Sequence, residues 1–304
     1  MTETMLPHEG LRPYRQCPRG TPGECTFGEA PEVALDGMPG PYPSAAIFRC
    51  ASCGFGVTRP AIDDVAVLYE GRESQDYQRG DGVIGAAIKR IVFAGQARGV
   101  LRQARFDGGH VIDYGCGSGV LSNAIADALS EGSRMTALDF FEAPPCAMPR
   151  AAYRSFAALP ELAGSADLLT CFHALEHDDD PERFLDRLLA LLKPGGTVVI
   201  EVPNMSCPWG RLFGRSWDNW YLPYHRVHFT RGTLRALVER RGLEVLLERD
   251  VHVPSFGRSA ATALGMRNSL PFLLGGAAAF PLQWLGEKLS REPAALRIVA
   301  RSRC

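Results

Sequence analysis

The stretch HVIDYGCGSGVLSNAIADAL, at positions 110–129, decides how the rest of the chain is interpreted. HVIDY predicts a buried strand, the glycines Gly115, Gly117 and Gly119 follow it at alternate positions, and SNAIADALS has the apolar period of a helix. This order of elements is typical of the first crossover of an open α/β sheet, where a ligand lies at the carboxyl end of the strand. Glycines in such a loop let the backbone approach the ligand closely, and the helix N-terminus favours a negative group.

Strand and helix patterns alternate from this stretch to the end of the chain. Pro181 is expected to start the second helix, and Pro194, Gly195 and Gly196 are expected to stop it. The alternation implies right-handed crossovers and a mostly parallel sheet. The predicted strands are HVIDY, RMTALDF, SADLLTCF, GTVVIEVP, LEVLLERDVHV and ALRIVARS, and the predicted helices are SNAIADALS, PERFLDRLLALL and TRGTLRALVERRG.

The spacing of the glycines separates two classes of ligand. A dinucleotide favours G-x-G-x-x-G, but position 120, where its third glycine belongs, is a valine. The pattern from Asp113 to Gly119 is instead D-x-G-x-G-x-G, which resembles the first motif of the class I S-adenosylmethionine-dependent methyltransferases. The resemblance implies a loop that wraps the methionine end of S-adenosylmethionine, whose ammonium needs an acceptor and whose carboxylate suits amide donors.

A second and more specific resemblance to this family covers residues 166–204, ADLLTCFHALEHDDDPERFLDRLLALLKPGGTVVIEVPN. It follows the family pattern of a fourth strand, a Leu-Glu-His turn with a nearby Asp-Pro, a helix that ends in Leu-Lys-Pro-Gly-Gly, and a fifth strand that closes on Pro-Asn. The implied fold class is α/β, with a Rossmann-like, seven-stranded, mostly parallel sheet of strand order 3-2-1-4-5-7-6. A small N-terminal Cys-rich module and a helical cap are expected beside it.

The resemblance also implies a set of cofactor contacts. Asp139, which ends RMTALDF, can accept hydrogen bonds from both ribose hydroxyls of an adenosine, and charge-assisted bonds of this kind are strong. Phe140 is expected to lie against the adenine face. An exposed carboxylate at a strand end is the alternative for Asp139, and a purely structural tight turn is the alternative for the glycine loop. The expected set is Asp113, Gly115, Cys116, Gly117, Gly119, Asp139, Phe140, Phe156, Ala157, Phe172 and His173.

Histidines supply the candidate catalytic groups. Methyl transfer from a sulfonium is an in-line displacement, so the enzyme must position the acceptor and, for a hydroxyl or a carbon acid, supply a base. His177 in the Leu-Glu-His turn is the first candidate base and His225 in PYHRVHFT is the second, because histidine is largely neutral near pH 7. The resemblance implies that Tyr77 is a lid or substrate contact. Hydrogen bonds that fix the turn are the alternative role for His177, and amphipathic packing is the alternative for Tyr77.

Four cysteines in the first 60 residues predict a metal site. RCASCGFG contains a Cys-x-x-Cys-Gly knuckle, whose backbone amides suit a thiolate pair that holds tetrahedral zinc. Some methyltransferases of the resembling kind carry an N-terminal zinc ribbon that ends in such a knuckle, which implies structural Zn²⁺ here. The first pair is more widely spaced than the two to four residues usual in zinc sites. The expected ligands are Cys17, Cys25, Cys50 and Cys53.

The composition limits the classes of partner. A net charge of −1 argues against a generic nucleic-acid binder, and nine scattered cysteines do not suit a secreted disulfide scaffold. The N-terminal residues show no secretory signal, so a cytoplasmic location is expected. Residues 268–286 carry no charge but contain two prolines and three glycines. They predict either a buried helical hairpin or a peripheral membrane contact.

The sequence therefore predicts three regions. Residues 1–60 form a Cys-rich, zinc-ribbon-like module, residues 61–101 a helical lid or linker, and residues 102–304 a methyltransferase domain with a cap insertion near 254–292. The expected activity is methyl transfer from S-adenosylmethionine to a small molecule such as a sugar, a lipid-linked glycan or a secondary metabolite. An RNA methyltransferase and a non-catalytic S-adenosylmethionine-binding scaffold are the alternatives. The acceptor atom and the oligomeric state are left open.

Overall fold

The structure is a computed structural model, and it describes residues 17–18, 26–37, 42–62, 65–70, 83–145, 148 and 150–302. The strands in this part of the chain are β1 (Val33–Asp36), β2 (Ser44–Arg49), β3 (Gly56–Arg59), β4 (His110–Tyr114), β5 (Arg134–Asp139), β6 (Ala152–Ser155), β7 (Ala166–Phe172), β8 (Leu192–Pro203), β9 (Val227–His228), β10 (Leu243–Val251) and β11 (Ala295–Ser302). The α-helices are α1 (Val83–Gln103), α2 (Val120–Ala128), α3 (Pro181–Leu189), α4 (Trp209–Phe213), α5 (Arg231–Arg240), α6 (Phe256–Ala263) and α7 (Leu270–Ser290).

The larger sheet has seven strands in the order β6-β5-β4-β7-β8-β11-β10. The pairs between β6 and β8 are parallel, whereas β11 runs antiparallel to both of its neighbours. When the seven strands of this sheet are renumbered 1 to 7 in chain order, starting from β4, the order is 3-2-1-4-5-7-6. The predicted fold class and strand order are therefore confirmed. The central strand β4 is buried along its whole length, as a parallel strand covered on both faces should be.

This topology brings several loops to one edge of the sheet. The strands β4, β5 and β7 are mutually parallel, so their carboxyl ends lie together and the turns that follow them converge. Those turns contain the glycine loop, the segment that begins with Phe140, and the Leu-Glu-His turn. The edge is therefore the place to look for a ligand.

The helix α3 ends earlier than the sequence predicts. Pro181 is its first residue and the Asp180 carboxylate caps it by accepting a hydrogen bond from the Arg183 amide, but the helix stops at Leu189. The Leu-Lys-Pro-Gly-Gly segment already belongs to β8, because Leu192 pairs with Ala166 at the start of β7. Strand pairing, rather than the proline and glycines alone, fixes the end of the helix.

A second, four-stranded sheet has the order β1-β2-β3-β9. Its first three strands come from the Cys-rich region, whereas β9 comes from the segment that follows β8. The fully buried Arg226 guanidinium joins the two parts of the chain: Nε donates to Asp179 at 3.0 Å and the Nη atoms donate to the carbonyls of Pro223, Thr58 and Pro60. A buried charge with this many partners holds the small sheet against the edge described above.

The helices α6 and α7 form a hairpin whose backbones nearly touch. A side chain at Gly257 would lie 2.1 Å from the Phe272 carbonyl oxygen, so close packing requires glycine there. The predicted hairpin is present, but the expectation that it is buried is wrong. The helix α7 buries Gly276, Gln283 and Glu287 and exposes its large apolar residues to solvent. The exposed apolar side chains of α7 include Leu270, Leu273, Leu274, Leu282, Trp284, Leu285 and Leu289. Across the described residues, none of the helices combines the length and hydropathy needed to cross a membrane.

Candidate functional site

The glycine loop after β4 has a conformation that side chains would oppose. Gly115, Gly117 and Gly119 have φ values of 77°, 54° and 73°, in the left-handed region that glycine adopts without strain. A side chain at Gly115 would also lie 2.7 Å from the Cβ of Ala174, in the turn after β7. The loop can therefore lie close to the end of β7 only because it carries glycine at this position.

Asp113, the last acid before the loop, fastens three elements together. Its carboxylate is buried and accepts hydrogen bonds from Ser122 Oγ in α2 at 2.5 Å and from Thr170 Oγ1 in β7 at 2.7 Å. Burial raises the pKa of Asp113 to about 6; the two hydroxyls partly offset this, and the nearby Asp139 adds to it. The structure thus gives Asp113 the role of positioning the loop, and it places Ser122 and Thr170, which the sequence analysis did not single out, in the same network.

Asp139 lies at the end of β5, directly across from the loop. Its Oδ2 accepts from the Gly117 amide at 2.7 Å and its Oδ1 accepts from the Phe140 amide at 2.7 Å. Cys116, between the two glycines, is partly buried beside Asp139. This arrangement holds a carboxylate at the mouth of the loop by backbone amides, where it can accept further hydrogen bonds.

Aromatic residues border the same edge. Phe156 stacks on Tyr114 with ring centroids 4.6 Å apart, and Ala157 beside it is exposed. Phe140 is 45% exposed, so its ring is available to an external ligand. Phe172 ends β7 with the Arg297 guanidinium 5.2 Å from its ring centroid. Three of these residues, Phe140, Phe156 and Ala157, follow β5 and β6 and would form one wall of a ligand site.

His173 occupies a strained position where β7 ends. Its φ is 52°, which is unusual for a residue with a side chain. Its Nε2 lies 3.1 Å from Glu201, which also accepts two bonds from Arg297. Burial opposes protonation of the ring, but the carboxylates of Glu176 and Glu201 outweigh it and raise the pKa of His173 to about 10. The two carboxylates thus favour the protonated form of His173.

His177 and His225 meet in a cluster of aromatic rings next to this turn. The Arg226 amide donates to the Glu176 carbonyl at 2.7 Å and so brings the two chain segments together. The rings of His177 and His225 are then edge to face, with centroids 4.8 Å apart. Tyr69 Oη lies 2.6 Å from His177 Nδ1, and Tyr221 and Tyr224 pack against the same group.

Both histidines of the cluster are held in the neutral form. Burial lowers the pKa of His177 below its ordinary value, and burial together with the neighbouring His177 and His228 lowers that of His225 further. His225 Nδ1 lies 2.9 Å from the Asn219 carbonyl oxygen, which can only accept, so Nδ1 carries the proton and Nε2 carries a lone pair. His228 forms a hydrogen bond with Thr58 Oγ1 through Nε2 at 2.9 Å.

A second cluster lies in the Cys-rich region. The sulfur atoms of Cys17, Cys50 and Cys53 all lie within 4.8 Å of one another. Burial opposes ionisation of Cys50, but the amides of Cys53 and Ser52 and the Cys17 thiol outweigh it and lower the pKa of Cys50 to about 7. Cys25, the fourth expected ligand, lies outside the described residues, as does Tyr77.

The fold brings three further residues to this site, of which the sequence pointed only to Tyr221, as part of an aromatic run after β8 that could line an acceptor pocket. Glu176 stands inside the Leu-Glu-His turn, and its burial beside His225 could have been sought from that motif. Tyr221 and Tyr224 stand close to His225 in sequence, but their packing on His177 depends on a contact between distant segments. Hydrophobic periodicity indicates which residues share a face of one helix or strand, and it does not predict a contact between segments that are distant in sequence.

Comparison with known proteins identifies the family. The family model for a methyltransferase domain matches residues 88–248, more than half of the chain. The chain therefore belongs to this family of methyltransferase domains. The matched segment of the chain runs from α1 into β10 and includes the glycine loop, Asp139 and the histidine cluster.

Individual relatives match over shorter stretches. The chain is 35% identical over 116 residues to the ubiquinone biosynthesis O-methyltransferase of Pseudomonas aeruginosa (strain UCBPP-PA14). This match covers 34% of this chain and 48% of that protein. It is 37% identical over 114 residues to the enzyme of the same name from Azotobacter vinelandii, covering 34% of this chain and 47% of that protein. The chain thus spans about half the length of these curated relatives. A SAM-dependent methyltransferase structure from Archaeoglobus fulgidus superposes with a TM-score of 0.45 at 19% identity, over 77% of this chain and 99% of that one.

The raised pKa of Asp113 predicts a specific dependence of stability on pH. Because the folded state binds this proton more tightly than the unfolded state, the contribution is fully present below the unfolded pKa and is lost as the pH rises through about 6. Between about pH 4 and pH 6.5, the free energy of unfolding of the wild type should fall by on the order of 3 kcal/mol relative to that of Asp113→Asn, because one pK unit corresponds to about 1.4 kcal/mol. Urea unfolding at a series of pH values measures the difference.

An exposed aspartate of α2, Asp127, provides the matched control for this experiment. Asp127→Asn should follow the wild type over the whole pH range. Parallel stability curves for the wild type and Asp113→Asn would show that the Asp113 carboxyl does not titrate abnormally in the folded state.

Proposed function

We propose that the protein is an S-adenosylmethionine-dependent methyltransferase that acts on a hydroxyl group of a small-molecule acceptor. One observation carries this proposal: the glycine loop and Asp139 lie at the same sheet edge as two contacting histidines, the half-buried His177 and the buried His225, whose pKa values are both lowered. The first two features suit a nucleoside with an amino-acid tail, and the histidine pair suits the removal of a proton from an acceptor. The curated relatives are named as O-methyltransferases, which agrees with a hydroxyl acceptor.

The residues of the loop fit S-adenosylmethionine. The absence of side chains at Gly115, Gly117 and Gly119 would let the amino-acid tail approach the backbone of the loop closely, and Asp139 is placed to accept from the ribose hydroxyls. Phe140 is exposed enough to lie on the adenine, with Phe156 and Ala157 on its other side. His173 and Phe172, at the end of β7, would lie towards the tail. When bound, S-adenosylmethionine supplies the methyl group as part of a sulfonium.

His177 and His225 would serve the acceptor. Both are neutral near pH 7 and lie beside Tyr69, Tyr221 and Tyr224, which provide flat, partly apolar surfaces for a small molecule. Their role is to promote loss of the proton from the acceptor hydroxyl as its oxygen attacks the methyl carbon. The Asn219 carbonyl fixes the tautomer of His225, and the Nε2 lone pair lies on the side of Glu176.

Methyl transfer from radiolabelled S-adenosylmethionine tests the proposal. A panel of phenolic, sugar and lipid-linked hydroxyl acceptors should contain at least one substrate, and His225→Gln should lower kcat by about 10²- to 10⁴-fold because proton transfer is impaired. Binding of S-adenosylhomocysteine should be unchanged in that variant. His252→Gln, which alters a histidine beside Glu287 and away from the site, is the control.

Two results would contradict this assignment. Full activity of His225→Gln with a good acceptor would remove the histidine pair from the chemistry. Tight binding of S-adenosylhomocysteine without label transfer to any member of the panel would favour a non-catalytic scaffold.

We also propose that Cys17, Cys50 and Cys53, with Cys25, hold a structural zinc ion. The described sulfur atoms are close enough to share one ion, and the lowered pKa of Cys50 favours the thiolate that zinc requires. The small sheet formed by β1, β2, β3 and β9 surrounds the cluster, because Cys50 follows β2 directly and pairs with Phe27. The ion would stabilise this sheet and, through Arg226, the acceptor side of the site.

Cobalt substitution provides the test for the thiolate site. The Co²⁺ protein should show an intense thiolate-to-metal charge-transfer band, and Cys50→Ser should reduce it and lower the Tm, because the ion contributes to folding. Cys207→Ala changes a buried cysteine outside the cluster and should leave the band unaltered. Absence of the band in the wild type, or its equal loss in both variants, would contradict a thiolate site.

The exposed leucines of α7 support a further element of the proposed function, contact with an anionic lipid surface. The helix buries its polar Gln283 and Glu287 and exposes its leucines, the reverse of what a helix on a protein surface normally does. Arg267 precedes the helix, and Lys288 and Arg291 lie at its other end, so positive charge flanks the apolar face. A bilayer with anionic headgroups would therefore be the binding partner of this face.

Vesicle co-sedimentation tests this contact. The full-length protein should bind vesicles that contain phosphatidylglycerol, and the double variant Leu274→Glu/Leu285→Glu should bind at least about tenfold more weakly, because each lost leucine contact is worth about 1.5–3 kcal/mol. Leu246→Glu changes an exposed leucine on β10 and serves as the matched control. Equal binding of the double variant and the wild type would contradict the proposal.

A further inference from the structure

Glu176 is a buried carboxylate without a hydrogen bond. It is 1% exposed, and neither Oε1 nor Oε2 has a hydrogen-bond partner among the residues that the structure describes. The nearest side-chain nitrogen atoms are His173 Nδ1 at 3.4 Å and His225 Nε2 at 3.7 Å from Oε1, and neither contact is a hydrogen bond. Burying a carboxylate without a hydrogen bond is costly, so a positive group is expected beside it, either the His173 ring or a bound cation.

His225 faces Glu176 with the wrong atom for a hydrogen bond. Its Nδ1–H donates a hydrogen bond to the Asn219 carbonyl, so its Nε2 presents a lone pair to the Glu176 oxygen 3.7 Å away. Two acceptors that face each other repel unless a proton or a cation lies between them. The neutral ring carries one proton, and that proton is on Nδ1 facing the Asn219 carbonyl, so none is left for the Nε2 side.

His177 completes a set of three donors. One ring nitrogen of His177, one ring nitrogen of His225 and one carboxylate oxygen of Glu176 all lie within 4.8 Å of one another. Ligands that each lie about 2.1 Å from a common ion are about 3–4 Å apart, so modest rotations of these side chains would close the site. The Asn219 carbonyl orients His225 and the Tyr69 hydroxyl contacts His177, as supporting residues around a metal ion commonly do.

We propose that Glu176, His177 and His225 bind a divalent first-row transition-metal ion. Two imidazoles and one carboxylate are a ligand set that holds such ions and leaves coordination positions open. This inference deepens the proposed function and rests on it in one respect: the open positions would take the hydroxyl oxygen of the acceptor. The histidines would hold the ion, which lowers the pKa of a bound hydroxyl, so that the hydroxyl proton passes to water. The oxygen would then attack the methyl carbon while the sulfonium leaves as a neutral thioether.

The charge of His173 offers a competing account of Glu176. The imidazolium of His173 could balance the carboxylate across the 3.4 Å contact without any metal ion. That account leaves the lone pair of His225 facing an oxygen, and His173 is already bonded to Glu201 through its other nitrogen. The two accounts differ in one measurable respect, which is whether the intact protein binds a metal ion through imidazole nitrogen.

Mn²⁺ is the suitable probe, because thiolates select softer metals and the cysteine cluster should not compete for it. Titration of the full-length protein, followed by electron paramagnetic resonance, should show one bound Mn²⁺ with nitrogen couplings from two imidazoles. Glu176→Gln and His225→Gln should each weaken binding by more than the about 10- to 100-fold attributed to residues that only support a ligand. His252→Gln, at another buried histidine-glutamate pair, should bind as the wild type does.

Wild-type spectra keep the test decisive if a variant fails to fold. Absence of Mn²⁺ binding by the folded wild type, or bound Mn²⁺ without nitrogen couplings, would overturn the proposal, as would unchanged affinity in a folded Glu176→Gln protein. Binding of S-adenosylhomocysteine, measured on the same samples, separates the two proposals. Mn²⁺ binding without nucleoside binding would refute the methyltransferase function alone, and nucleoside binding without Mn²⁺ would refute the metal site alone.

Discussion

The hydrogen-bonded carboxylate of Asp113 is the interaction on which the rest of the site depends. It ties the end of β4 to α2 through Ser122 and to β7 through Thr170, inside a core where an unpaired charge could not persist. The glycine loop is the chain between these attachment points. With both of its ends fixed, the loop keeps its three left-handed glycines within reach of Asp139 and of the turn after β7.

A second charged group organises the opposite side of the site. Arg226, fully buried, joins β3 and the residue after it to Asp179 and to the 221–226 segment, and its amide positions Glu176. The Cys-rich region therefore does more than precede the methyltransferase domain in sequence. Its sheet supports the segment that carries His225, so we expect that loss of the proposed zinc ion would disturb the acceptor side before the nucleoside side.

Local periodicity predicted the strands and helices of the main sheet, because each element has its own apolar pattern. The strand order was predicted from the resemblance of residues 113–119 and 166–204 to the methyltransferase family. The same information placed Asp113, Asp139 and the glycines correctly at the ends of β4 and β5. It could not predict that Glu176, His177 and His225 converge, because the contact depends on Arg226 and on strands from the other end of the chain. For α7 the sequence left two predictions open, a buried hairpin and a membrane contact, because residues 268–286 carry no charge. Only the structure shows that Gln283 and Glu287 are buried while the leucines face outward.

Calorimetric titration with S-adenosylhomocysteine tests the central claim that the loop and Asp139 hold the nucleoside. The account predicts saturable binding by the wild type and at least about 100-fold weaker binding by Asp139→Ala, because two charge-assisted hydrogen bonds of about 1.5–3 kcal/mol each would be lost. Glu142→Ala, an exposed residue in the same segment, should bind normally. No heat of binding with folded wild-type protein, or equal affinity in Asp139→Ala, would contradict the account.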